Sequence, residues 1–524
     1  MLVPQRKSSE VMQQVIPLLA LGVILIASNR SITFIDDESL TLNFAAQPMR
    51  PTLAQFFFKG GPPYTHPPLF DILLHFWLRW AGGELDYLRV PSILFYIAGI
   101  FLLGRASRYF TGSSGGIAVI WTAVLWPFGF HFGRLTVWYA CSFFFVSGVT
   151  LAYLKYLEEP TSARWRALFL FSLGLIWTNY VGWVILGCLA LDLLLRRRNS
   201  ELFGKPKALA GMAVLLGIAF VPLLLAFRGA LRADLRVPHS PLATVANAAF
   251  DVFSLFVSES VAPWYWALSV PVGVAILVCM TLVVWRAPRP AGRFLAYTAL
   301  LVVAMALIGI LNTKRLLMIS PWLLLPVGVA IEAPKPRWAT GLLALALLVI
   351  GGLGWYGIYS RRFYSAPRFI EPWQEIAEDA AGKIRNGAVV IADHPSALLY
   401  LTYSLRVPNQ TAPWRFAGWV TDAGDNPKVY GSVGWLDSGH PTSRRMILIR
   451  GGRDPGGNGQ VDMEERQLDQ ACSSITSRLM MRDQGYAWKQ RFFPQLGEPQ
   501  WRIEIREYDC GASSSKQIYV IPQR

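Results

Sequence analysis

The stretch FIDDESLTLNF, residues 34–44, sets three consecutive carboxylates, Asp36, Asp37 and Glu38, just after the first apolar run of the chain. Further on, GGPPYTHPPLFDILLHFW holds His66 between Thr65 and the pair Pro67 and Pro68, with Tyr64 two residues before it. Proline fixes the backbone and starts helices, so this imidazole is held at an elbow rather than left mobile. Lys314 and Arg315 stand at the mouth of a late apolar run, LNTKRLLMISPW, and Arg228, Arg232 and Arg236 recur at spacing four, which is one face of a helix. A carboxylate, a held histidine and nearby cations on one membrane face suit a transfer reaction on an anionic lipid. A phosphate leaving group departs as an anion and needs surrounding positive charge rather than a general acid. One carboxylate then suffices to take the proton of the attacking hydroxyl, whereas glycoside hydrolysis uses two opposed carboxyls.

Plainer readings stand beside these. Carboxylates also occur at solvated helix ends, and arginines snorkel to headgroups. Asp71 and His75, one turn apart, suit an ion pair, simple solvation or two metal ligands, and two ligands alone do not make a metal site. Trp414 and Trp419 suit stacking on sugar rings or core packing, and Asp393 and His394 follow a strand-like run without a partner motif.

The elements that position these groups are mostly apolar. The chain has 524 residues, 53% hydrophobic and 16% charged, with a mean hydropathy of +0.37, which excludes an ordinary soluble protein. The net charge of +16 suits anionic headgroups and phosphate. Nucleic acid is a poor fit, because the basic residues sit in short connections rather than in one soluble stripe.

Runs able to cross a core of ~30 Å lie near residues 13–30, 89–104, 115–131, 138–154, 167–180, 181–195, 208–227, 264–285, 294–311, 316–332 and 338–357. Placing the N-terminus in the cytoplasm makes every inner connection basic, as membrane insertion favours. An odd number of spans then puts the carboxylates and everything after residue 358 outside. Arg6 and Lys7 precede the first run without a convincing cleavage site, so it reads as an uncleaved span. The first outer connection, 36–88, predicts helices along the membrane surface. From 359 the pattern turns to soluble α/β, with a helical WQEIAEDAAGKIR, strand-like AVVIAD, RMILIR, WRIEIREY and QIYVI, and the loop GGRDPGGNG. Cys472 and Cys510 fall in this outer domain, where the oxidising compartment favours a disulfide; Cys141, Cys188 and Cys279 lie inside spans.

An uncleaved first span followed by an Asp-Glu pair, then THPPLFDILLHFWLRWAG, LRVPS, TNYVGWVI and KRLLMISPWLL, resembles the membrane-embedded GT-C glycosyltransferases. The resemblance covers about residues 13–357 and points to the branch of protein mannosyltransferases and bacterial aminoarabinose transferases. It implies Asp37 as catalytic base with Glu38 beside it, Asp36 near the substrate, and Lys314 and Arg315 on the lipid phosphate, although Leu316 stands where an aromatic residue is usual. HFGRLTVWYACS keeps the family's Tyr139 but has Leu135 and Val137 at two positions where relatives carry an acidic residue and Arg; either Arg134 or His131 substitutes or the donor is handled differently, and His66 and Tyr64 complete the candidate substrate contacts.

The expectation is a polytopic α-helical membrane protein of about eleven spans, residues 1–358, with an extracytoplasmic α/β domain, 359–524. Its implied activity is inverting transfer of a hexosyl or pentosyl group from a polyprenyl monophosphate sugar to a lipid, glycan or protein hydroxyl, in a bacterial plasma membrane. No cofactor or metal is required by that chemistry. A transporter or flippase of lipid-linked sugars is the alternative; it predicts mid-span charges and repeated halves, which the sequence does not display. A sensor or scaffold would leave the DDE and HPP stretches without purpose.

Overall fold

The structure is a computed structural model that describes residues 8–46, 48–58, 66–81, 85–112, 116–196, 206–224, 226–228, 241–333, 336–365, 367–392, 395–405, 429–431, 445–453, 465–466, 468–470, 472–482, 487, 491 and 501–510. In chain order its helices are α1 (Ser8–Ala27), α2 (Asp36–Ala46), α3 (Met49–Phe58), α4 (Leu69–Ala81), α5 (Leu85–Leu88), α6 (Val90–Thr111), α7 (Ile117–Leu125), α8 (Pro127–Phe132), α9 (Tyr139–Glu158), α10 (Ser162–Thr178), α11 (Gly182–Arg196) and α12 (Pro206–Phe220). There follow α13 (Pro241–Val257), α14 (Trp266–Arg286), α15 (Arg289–Leu307), α16 (Pro321–Glu332), α17 (Arg337–Ser360), α18 (Trp373–Arg385) and α19 (Pro395–Leu405). The strands are β1 (Val389–Ala392), β2 (Val429–Gly431), β3 (Arg445–Arg453), β4 (Ser473–Arg482) and β5 (Trp501–Asp509). Contacts divide the chain into two compact units. The first is Met1–Asn29, Arg50–Phe70 and Arg89–Ser365; the second is Arg30–Met49, Asp71–Leu88 and Ala366–Arg524.

Within the first unit, each of the eleven apolar runs carries a helix. Five stretches, Leu85–Thr111, Tyr139–Glu158, Trp266–Arg286, Arg289–Leu307 and Arg337–Ser360, are long and apolar enough to cross a bilayer. This is a multi-pass membrane protein. Several runs depart from a simple span. Pro127 forces Trp126 into extended backbone (φ −80°, ψ 115°) and splits the third run into α7 and the single-turn α8. The tenth begins as a 3-10 turn, Thr313–Met318, before α16. The helix α13 is not anticipated by the sequence, because PLATVANAAFDVFSLFV carries Asn247 and Asp251 and reads as a mixed segment.

Small residues let these helices approach, as packing without water demands. A Cβ at Gly99 would strike the Phe143 ring where α6 meets α9, and one at Gly129 would collide with the Tyr96 hydroxyl beneath α8. Polar clamps fix other helix ends. Arg286 donates to the carbonyls of Ala330, Ala333 and Pro336 at 3.0, 2.6 and 2.6 Å, satisfying the open end of α16. Glu332 Oε1 in turn accepts from the amides of Gly116 and Ala118 at the start of α7.

The second unit is built on a mixed sheet of order β2-β1-β3-β5-β4, with β1 parallel to its two neighbours and β3, β5 and β4 antiparallel. Val389, Ile391, Met446, Leu448 and Tyr508 form its core with Leu468 and Cys510. Cys472 and Cys510 form the expected disulfide. The predicted helix at 373–385 and strands at 389–392, 445–453 and 501–509 are present; β4 is not anticipated, and QIYVI lies outside the described residues. The first-loop segment ending at α2 is fastened here. Thr33 bonds the carbonyl of Glu371 through its hydroxyl at 2.6 Å and that of Phe369 through its amide at 3.1 Å, and the Phe34 amide donates to the Tyr400 hydroxyl at 3.0 Å. In α4, Leu73, Phe76 and Trp80 are exposed while Leu74 and His75 are buried, the amphipathic pattern of a helix lying along a membrane surface.

Candidate active site

The three first-loop carboxylates occupy the first turn of α2, where the helix dipole favours negative charge. They are not equivalent there. Glu38 is fully buried, and its Oε2 accepts from the Ile35 amide at 3.2 Å, closing the helix end as a capping carboxylate does. Asp37 is half-buried, and its backbone carbonyl accepts from the Thr41 hydroxyl at 2.8 Å. Helix-end chemistry thus accounts for Glu38.

Asp71 and His75 do not pair. His75 Nδ1 donates to the Ala45 carbonyl at 2.7 Å. Asp71 is half-exposed, and burial pushes its carboxyl up to about 7 against the pull of its place in the first turn of α4. Among the described residues, no three His, Cys, Asp or Glu side chains gather as a metal site.

In the first unit a polar cluster forms where α8, α13 and the 3-10 turns at Ser258–Ser260 and Thr313–Met318 pack together. Pro127 starts α8 and directs the following loop to His131 and Arg134, both fully buried. Arg134 donates to the Ser28 carbonyl at 2.7 Å and hydroxyl at 3.0 Å, and its guanidinium lies 4.5 Å from the Phe130 ring centre. His131 Nδ1 bonds the Ser258 hydroxyl. Beside it the Glu259 side chain is 2% exposed, and its carbonyl accepts from the amide and hydroxyl of Ser365. Burial pushes the Tyr364 phenol well above its usual range, against the opposing pull of Arg134 and Arg361 and with the help of Glu259, so both arginines and the glutamate lie within electrostatic reach of it.

Ser258 (φ 66°) and Arg361 (φ 55°) are the non-glycine residues with left-handed backbone among the described residues, and both belong to this cluster. Such strain collects where the surrounding fold holds a site in shape. Lys314 is buried, with its amide capped by Asn312 Oδ1 at 3.1 Å; Arg315 donates to the Ile310 carbonyl at 2.9 Å, and Thr313 bonds Asp251.

His66 is half-buried, its ring 4.6 Å from that of Trp138, which lies 4.3 Å from Tyr139 at the start of α9. Tyr64, Arg232, Arg236, Asp393, His394, Trp414 and Trp419 fall outside the described residues, as does the Asp36 side chain. Ser258, Glu259, Tyr364 and Trp138 are members that sequence reasoning misses. The one available signal is a carboxylate in FVSESVAPW, an otherwise apolar setting.

An apolar cavity of about 500 Å³ lies among α7, α16 and α17, walled by residues such as Trp121, Leu324, Val327, Leu347, Gly351 and Trp355. Its lining includes Trp126 and Pro127, which open α8, and Phe256, two residues before Ser258. The greasy cavity therefore runs to the elements that carry His131, Arg134 and Glu259.

No family model and no curated protein sequence matches the chain. Solved structures do, among them two of ArnT. ArnT from Cupriavidus metallidurans bound to undecaprenyl phosphate is 13% identical, with a TM-score of 0.54 over 98% of this chain and 100% of that one. The same protein in the apo state gives 13%, 0.52, 94% and 97%. The polytopic helical architecture read here from apolar runs and their packing is thus the fold of ArnT.

Proposed function

We propose that this protein is an inverting glycosyltransferase that takes a sugar from a polyprenyl monophosphate donor and passes it to a hydroxyl of a lipid, glycan or protein on the outer face of a bacterial plasma membrane. The observation that carries this is the apolar cavity whose lining takes in Trp126 and Pro127, at the start of the segment that carries the buried Arg134, a setting suited to a lipid with one anionic head. The fold shared with a protein solved with undecaprenyl phosphate supports it.

In this mechanism Lys314, Arg315 and Arg134 hold the phosphate by charge-assisted hydrogen bonds, with Tyr139 and Tyr364 as neutral donors nearby. The acceptor oxygen attacks the anomeric carbon from the face opposite the phosphate. Its proton passes to the Asp37 carboxylate, the carbon–oxygen bond to phosphate breaks, and the polyprenyl phosphate dianion leaves into fixed positive charge. The anomeric centre inverts once, and no covalent sugar–enzyme species forms. Glu38 holds the end of α2 so that Asp37 keeps its position, and Asp36 adds negative charge at the same turn.

Binding tests the lipid half of this account. The purified protein should bind polyprenyl phosphate and discriminate against the neutral polyprenol, and Lys314→Met should weaken the phosphate lipid roughly 10- to 100-fold, the loss of one strong charge-assisted contact. Equal binding of polyprenol and polyprenyl phosphate would remove the phosphate site from the proposal.

A further inference from the structure

Trp138 begins the turn into α9 and is 4% exposed. Its indole Nε1 is buried and has no hydrogen-bond partner among the described residues. That is not the habit of this fold, where the indoles of Trp126, Trp322 and Trp355 donate at 2.8 Å to the Leu255 carbonyl, the Thr150 hydroxyl and the Leu125 carbonyl. A buried donor without an acceptor costs about 1–3 kcal/mol, and native proteins rarely leave one so. Trp183 shares this state elsewhere, at the start of α11. Trp138 differs in its company, since His66 and Tyr139 pack against its ring at 4.6 and 4.3 Å. The His66 ring beside it is half-exposed.

We propose that the Trp138 indole N–H donates a hydrogen bond to an oxygen of the sugar being transferred, a specificity contact flanked by the His66 and Tyr139 rings. The inference rests on the glycosyltransferase reading above. The chemistry selects the sugar over the phosphate. The donor is neutral and flanked by two flat rings, which suit the apolar C–H face of a sugar, while the buried cations supply what a phosphate needs. A site built to bond a hydroxyl discriminates strongly when either partner is removed, because the other is left buried and unpaired.

The test compares binding of bare polyprenyl phosphate with that of polyprenyl-phosphate-linked glucose or mannose to the full-length protein in detergent. Wild type should favour a sugar-bearing lipid. Trp138→Phe, which keeps the ring and removes the N–H, should weaken that lipid 10- to 100-fold and leave the bare lipid unchanged, and Trp138→Tyr should recover part of the loss by restoring a donor. Equal weakening of both lipids, unchanged binding of both, or no preference in wild type overturns the proposal. Wild type that binds neither lipid condemns the glycosyltransferase reading itself, which separates the two failures. A Trp138→Phe protein that melts early is set aside in favour of Trp138→Tyr, whose recovery of sugar preference without recovery of stability still decides the matter.

Discussion

Asp192 on α11 is the most heavily bonded buried carboxylate outside the candidate site. It accepts from the Tyr153 hydroxyl at 2.6 Å and from the Tyr297 hydroxyl and Arg293 at 3.1 Å. Asp192→Ala leaves two phenols and a cation short of their acceptor, so thermal unfolding in detergent should register a loss of about 2–4 kcal/mol. By contrast Glu158, more than half exposed in its pair with Arg164, should tolerate Gln within about 0.5 kcal/mol. Asp71 makes a pH-dependent case. Its folded-state pKa of about 7 lies above the ordinary 3.8, so the folded protein binds the extra proton between those values and stability falls as pH rises from about 4 to 7. Asp71→Asn should flatten that slope and melt higher than wild type above pH 7; an unchanged slope contradicts the burial of this carboxyl. At this scale the sequence reveals groups whose type alone implies chemistry, such as Asp37, His66 and Lys314. It conceals Glu259 and Trp138, because a lone carboxylate in FVSESVAPW and an indole without an acceptor acquire meaning only once distant helices surround them.

Among elements, α8 matters more than its six residues suggest, since the loop it launches carries Arg134. Its position depends on Gly129 sitting over Tyr96, where any side chain collides with the phenol. Gly129→Ala should cost about 1–3 kcal/mol by overpacking and weaken polyprenyl-phosphate binding. Adding Tyr96→Phe should return part of both, because it removes the nearest colliding atom along with a 3.1 Å bond to the Ala123 carbonyl. Unimpaired lipid binding in Gly129→Ala would detach α8 from the site. Helices such as α9 and α17 were legible because an uninterrupted apolar length dictates them. The break at Trp126 was not, although Pro127 signals it, because an apolar average over the run hides one residue. The helix α13 and strand β4 escaped for a related reason: neither shows a clean hydrophobic period, and tertiary packing sets their conformation.

For the whole molecule, chain order proved a poor guide to grouping. Thr33 and Glu371 are 338 residues apart yet bonded in one unit, and no local pattern announces a contact of that range. The disulfide was legible from compartment and position. It closes 38 residues, so converting both Cys472 and Cys510 to Ser should destabilise the second unit by about 4 kcal/mol in the chain-entropy account, seen as a lower melting temperature that reductant no longer changes. The central claim is that Asp37 is the base in transfer from a polyprenyl-phosphate sugar. Its most direct test is transfer of a radiolabelled sugar from polyprenyl-phosphate donors to acceptors in a membrane extract by the purified protein. The account predicts that Asp37→Asn lowers the rate by 10²- to 10⁴-fold, the usual worth of a general base, while polyprenyl-phosphate binding holds. Transfer at the wild-type rate in Asp37→Asn would contradict it.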